Sequence, residues 1–187
     1  MYAYKFQPLR QTTDPTRQEM HSETSSTTCT ADTPPPSEAF MDLDGSEVPW
    51  SGKAYLILQK GTSKEITLDD TGTDGGGSLR MKSVHLAEGK AGNNHWFCVE
   101  RDGFFGFQNP ASGTYIGHDG KDAIRAAASH LKAWEMFTPR EHPSGGYQLR
   151  TPYSQQVLMV LCVAGDGTSL VRGSHGITRW EFVPVTL

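Results

Sequence analysis

The sequence predicts an all-β domain, and three observations predict it. Short runs are rich in aromatic and β-branched residues, turn residues separate the runs, and the order of runs returns three times. The repeat is marked by a tryptophan with apolar company: Trp96-Phe97-Cys98-Val99, Trp134-Glu135-Met136-Phe137 and Trp180-Glu181-Phe182-Val183.

The runs follow in order. The first unit reads AYLILQ, KEITLD, SLRMKSV and HWFCVE. The second reads FFGFQN, TYIGHD, AIRAAAS and AWEMFTP. The third reads GYQLRTP, QVLMVLCVA, SLVRGS and RWEFVPV. Asp102-Gly103, Asn109-Pro110, Asp119-Gly120, Pro143-Ser144-Gly145-Gly146 and Asp166-Gly167 supply turn chemistry between them. Ile124–Trp134 has the alanine content of a helix, but its place in the repeat assigns it to a strand. Three units of about 40–50 residues are too few for a propeller, which uses at least four blades. Three four-stranded units close instead as a six-stranded barrel with a hairpin cap, a β-trefoil. Closure removes exposed strand edges, so a monomer is expected. In each tryptophan strand the residue two further on shares its face. Trp96 with Cys98, Trp134 with Met136, and Trp180 with Phe182 are therefore assigned to the core.

The domain is expected over residues 50–187, with repeats at about 51–100, 101–140 and 141–187. Before it, residues 1–49 form an acidic Ser/Thr/Pro-rich tail, expected to be disordered. The first 50 residues hold three basic and eight acidic residues, against 14 basic and 13 acidic in the remainder. So little apolar surface cannot offset the entropy of ordering the tail. Apolar alternation begins at Ala54-Tyr55-Leu56-Ile57-Leu58. The nearly neutral domain has no electrostatic pull toward nucleic acid or an anionic membrane. No apolar run approaches the ~20 residues of a membrane span, and no signal-peptide pattern opens the chain, so a cytoplasmic location is expected.

The residues do not assemble a known catalytic pattern. Cys29, Cys98 and Cys162 are an odd count, and the last two lie in apolar runs that disfavour a thiolate. No Gly-x-Ser-x-Gly elbow is present, and the histidines lack metal-ligand spacing. Gly75-Gly76-Gly77 reads as a hairpin rather than a phosphate loop. No enzyme activity, cofactor or metal is therefore expected. Arg125, Arg140, Arg150, Arg172 and Arg179 read as solvated strand faces. Ricin-type lectins carry Gln-x-Trp, and here Asn94, Lys132 and Thr178 stand two before the tryptophans. The most polar projecting hairpin is His118-Asp119-Gly120-Lys121-Asp122. His118, Asp119, Lys121 and Asp122 are the candidate binding residues.

The second unit, FQNPASGTYIGHDGKDAIRAAASHLKAWEMF, resembles the fascin-like, or actin-crosslinking-like, branch of the trefoils. From Trp96 to Val185 the chain is also similar to a group of filamentous-fungal β-trefoil proteins of unestablished activity. The shared residues include Trp96, Cys98, Glu100, Asp102-Gly103, Gly106-Phe107, Asn109-Pro110, His118 to Lys121, Trp134 to Phe137, His142-Pro143 and Trp180 to Val183; Ala133 and Ser144 depart from that pattern. The resemblance implies a non-catalytic binding module with a protein partner, actin among the candidates. The alternative is a carbohydrate-binding trefoil without the ricin-type motif.

Overall fold

A computed structural model of the chain describes residues 45–69, 77–84, 92–154 and 157–187. The expected tail up to residue 44, with Cys29, lies outside the described residues, as do Gly75 and Gly76. The described chain is all-β apart from one 3-10 turn, Ala133–Glu135. Its strands are β1 (Ala54–Gln59), β2 (Lys64–Asp69), β3 (Ser78–Ser83), β4 (Trp96–Arg101), β5 (Phe104–Gln108), β6 (Tyr115–His118), β7 (Ile124–Ala128), β8 (Thr138–Glu141), β9 (Tyr147–Ser154), β10 (Val157–Val163), β11 (Leu170–Gly173) and β12 (Trp180–Val185).

Pairing closes a barrel. β1 joins β4, β4 joins β5, and a bridge between Phe105 and Phe137 carries the ring to the start of β8. β8 then pairs β9, β9 meets β12, and β12 returns along the whole of β1. Three hairpins lie off this ring: β2–β3, β6–β7 and β10–β11. The turn between β4 and β5 shows why sequence and fold agree locally. Asp102 and Gly103 have φ of 54° and 78°, the left-handed pair that a tight hairpin needs and that Asp-Gly tolerates.

The core is aromatic. Phe107 and Phe182 stack at 5.5 Å, Tyr55 meets Phe182 edge-on at 5.8 Å, and Phe137 leans on Phe107 at 6.2 Å. Trp96 and Trp180 are fully buried, and their indole N–H groups donate to the carbonyls of Ile66 and Leu161, at 2.9 and 3.2 Å.

Trp134 breaks this pattern and corrects the sequence assignment, for it is 53% exposed. Cross-strand partners show why. Tyr55 faces Trp96, Tyr147 faces Trp180, and Phe105 faces Phe137. Phe137 thus fills the second repeat's core slot, three residues later than the tryptophan match placed it. The residues before it turn in the short 3-10 segment, where the Glu135 carboxylate accepts the Lys132 backbone N–H at 3.0 Å. That turn lifts Trp134 out to the surface. Ile124–Ala128 does form a strand, overriding its helical propensity.

The hairpins meet through three matching bonds. Met81, Ala126 and Arg172 each donate a backbone N–H, at 2.8 Å, to a carbonyl of the neighbouring hairpin: Thr168, Gly77 and Asp122 respectively. Residues 45–49, assigned from sequence to the tail, run along β12. The Glu47 N–H donates to the Phe182 carbonyl, and the Tyr55 hydroxyl donates to the Glu47 carboxylate, both at 3.0 Å. No helix among the described residues is long and apolar enough to cross a membrane.

Candidate ligand-binding site

The end of β6 and the loop that joins it to β7 carry the four sequence-predicted binding residues, and local hydrogen bonds set the loop's shape. The Asp119 N–H donates to the Ala123 carbonyl at 3.2 Å, closing the hairpin. Its carboxylate accepts the Lys121 N–H at 2.9 Å, an Asx turn that leaves Lys121 and Asp122 projecting into solvent. Gly120 takes φ of 83°, a left-handed conformation that a Cβ would strain.

The four residues do not share one environment. Asp119 is half-buried and lies 3.8 Å from the Arg125 guanidinium. His118 is buried, 8% exposed, and its ring points back into the fold. Its Nδ1 accepts the Gly120 N–H at 3.0 Å, which leaves the proton of the neutral ring on Nε2. That Nε2 is buried with no protein acceptor. Burial holds the imidazole below the ordinary histidine range, and the charge of Arg172 adds to this while Asp119 opposes it. His118 is therefore neutral at pH 7.

Trp134 lies against this loop, although the sequence assigned it to the core. Its indole lies over the His118 ring, with centroids 5.2 Å apart and planes 32° from parallel. A Cβ on Gly120 would approach the indole to 3.3 Å, so the glycine fits the loop both to its turn and to this ring. Beneath, Gly117 lets β6 pass under the 3-10 turn; a Cβ there would reach 2.9 Å from the Trp134 carbonyl. The result is a half-exposed aromatic plate, packed on His118 and Gly120, beside a polar turn.

A second missed residue lies next to it. Arg172, expected on a solvated face, is 4% exposed. Its Nη2 donates to the Gly120 carbonyl at 3.2 Å, and its guanidinium lies 5.2 Å from the centroid of the Tyr153 ring, which is itself 61% exposed. For Arg172 the signal lies in the repeat once the strand pairing is known, whereas Trp134 gave none. Aligning the hairpins by Ile66, Ile116 and Leu161 puts His118 opposite Leu68 and Val163, and Arg172 opposite Met81 and Ala126.

No family model matches the chain, and no curated protein matches it. Solved structures do. The designed threefold-symmetric protein ThreeFoil is 16% identical with a TM-score of 0.54, over 72% of this chain and 99% of its own. The fold is a β-trefoil. A lectin from Polyporus squamosus, solved with the epitope Neu5Aca2-6Galb1-4GlcNAc, is 12% identical at a TM-score of 0.54, over 72% of this chain and 50% of the lectin. A GlcNAcα1-4Gal-releasing endo-β-galactosidase from Clostridium perfringens is 16% identical at a TM-score of 0.59, over 73% of this chain. The chain spans only 33% of that enzyme's length.

Cys98 and Cys162 are buried and free, and burial pushes the Cys98 thiol up to about 12. Among the described residues no group of three His, Cys, Asp or Glu side chains is placed to hold a metal ion. A shallow depression at the β8–β9 turn, lined by Glu141, His142, Pro143 and Gly145, shares no residue with the Trp134 site.

Proposed function

We propose that this trefoil is a glycan-binding module whose ligand lies against Trp134. The exposed indole carries the reading. A tryptophan half out of water costs hydration free energy unless something covers it, and the aliphatic C–H face of a pyranose fits such a plate. The turn beside it offers what sugar hydroxyls need: the exposed Asp122 carboxylate, the Lys121 ammonium and the Asp119 carboxylate within one short loop. The plate is seated before any ligand arrives, so little ordering entropy opposes binding.

The lectin among the structural neighbours supports the glycan alternative over the protein-binding, actin-directed reading that the fascin-like resemblance favoured. The test is a glycan array followed by titration of the best hit with the parent chain and with Trp134→Ala. Binding by the parent and at least a tenfold loss in the folded variant is expected. Actin co-sedimentation with no glycan hit on the array would overturn the reading.

A further inference from the structure

The three hairpins differ where they meet. Met81, Ala126 and Arg172 occupy equivalent positions, shown by their matching backbone bonds to Thr168, Gly77 and Asp122. They also pair across their hairpins with equivalent residues, Ile66, Ile116 and Leu161, all fully buried. Two repeats fill this slot with an apolar side chain. The third places a guanidinium there and buries it to 4% exposure.

Buried charge is costly unless it is paired and its hydrogen bonds are satisfied. Arg172 meets neither condition fully. Nη2 reaches the Gly120 carbonyl, but Nη1 and Nε have no hydrogen-bond acceptor. The Asp122 carboxylate is 3.9 Å from Nε, beyond hydrogen-bond distance, and its side chain is 75% exposed. The adjoining slot repeats the anomaly. His118 stands where the other repeats have Leu68 and Val163, and its Nε2 proton also lacks an acceptor. Two polar groups with unused donors therefore sit side by side in apolar positions, next to the Trp134 plate. The cover over Arg172 is the exposed ring of Tyr153. A ring held at the surface by a cation–π contact can turn aside at small cost.

We propose that Arg172 is the counter-charge for an acidic sugar, one bearing a carboxylate or a sulfate, with Tyr153 turning aside to admit the anionic group while the sugar ring rests on Trp134. This rests on the glycan reading above and adds the ligand's charge to it. The charges agree: Arg125 and Arg172 lie 3.8 and 3.9 Å from Asp119 and Asp122, Glu135 beside Trp134 is offset by Lys132, and Lys121 in the same loop adds one further positive charge.

The experiment uses pairs of glycans that differ only in the presence of a carboxylate or a sulfate, titrated against the whole chain at low and at moderate salt. The acidic member is expected to bind at least tenfold more tightly at low salt, with the margin narrowing as salt rises. The carboxylate and sulfate pairs separate the two sources of charge. Arg172→Met, which installs the residue type of the first repeat, should bring the acidic-to-neutral ratio close to one. Should that variant not fold, Tyr153→Ala decides: uncovering the guanidinium should raise the ratio several-fold. A parent chain that binds both members equally overturns this inference alone. So does a ratio that survives in folded Arg172→Met or stays unchanged in Tyr153→Ala. Failure to bind any glycan overturns the glycan reading and this inference with it.

Discussion

Trp96 and Trp180 each lose all solvent contact and hand their indole N–H to a carbonyl of the neighbouring hairpin, whereas Trp134 keeps half its surface in water. Truncating either buried ring leaves a large cavity, so Trp96→Ala and Trp180→Ala should each cost roughly 3–5 kcal/mol. Trp134→Ala removes only a stacked surface ring and should cost about 1 kcal/mol or less. Denaturant melts of the three variants check this, and the three should separate cleanly into two groups. His118 makes a pH prediction. Its imidazole titrates below the ordinary histidine value when folded, because burial and Arg172 disfavour the charged form. As pH falls through about 6.5 the unfolded chain takes up a proton that the folded chain refuses, so stability drops with acidification and levels off below the folded value. Replacing the ring with leucine, the residue type of the first repeat, should flatten that part of the slope. His95, also lowered by burial, will keep some of it. A slope unchanged in His118→Leu would contradict the assignment.

Turns and hairpins carry the next level. Gly120→Ala must accept a left-handed backbone, at about 1–2 kcal/mol, and must crowd the Trp134 ring. Gly77→Ala is the harsher change, because its Cβ would land on the backbone carbonyl of Ala126, which cannot rotate away as a side chain can. Melting temperatures should therefore fall further for Gly77→Ala than for Gly120→Ala, while glycan binding should suffer more from Gly120→Ala. The all-β character was legible at this level because the runs are short and rich in aromatic and β-branched residues, and many of the turns between them carry Asp-Gly, Asn-Pro or Gly-Gly. The turn at 119–122 was legible for the same reason, but the inward direction of His118 was not. Trp134 was not. Trp-Glu-Met-Phe and Trp-Glu-Phe-Val look alike as strings, but only the partner strand decides register, and Phe105 pairs with Phe137. Arg172 escaped because the run SLVRGS gives an arginine on a short strand either face. Its inward direction comes from pairing with Leu161, a contact between strands that composition cannot show.

Across the whole molecule, the barrel is closed by the full-length β1–β12 pairing, and residues 46 and 47 reinforce that seam. Ser46 Oγ accepts the Phe182 N–H at 3.3 Å, and Glu47 takes hydrogen bonds from Lys53 at 2.7 Å and from the core residue Tyr55. We therefore propose that the stable domain starts a few residues before Trp50. A chain beginning at Gly45 should exceed one beginning at Trp50 by about 1–2 kcal/mol in chemical denaturation, the net contribution of the four hydrogen bonds of Ser46 and Glu47, discounted for their exposure. Equal stability would return the boundary to Trp50. The architecture repeats three times, but the site does not. Among the described residues, Leu68 and Val163 occupy the slots equivalent to His118, and neither has a surface tryptophan laid over it. Among the described residues this His118–Trp134 arrangement therefore occurs once per chain, and on the glycan reading proposed above it would give a valency of one. On that reading a single copy would mask or label a glycan-coated surface without tethering two such surfaces together, and any gain from avidity would come from joining this chain to others.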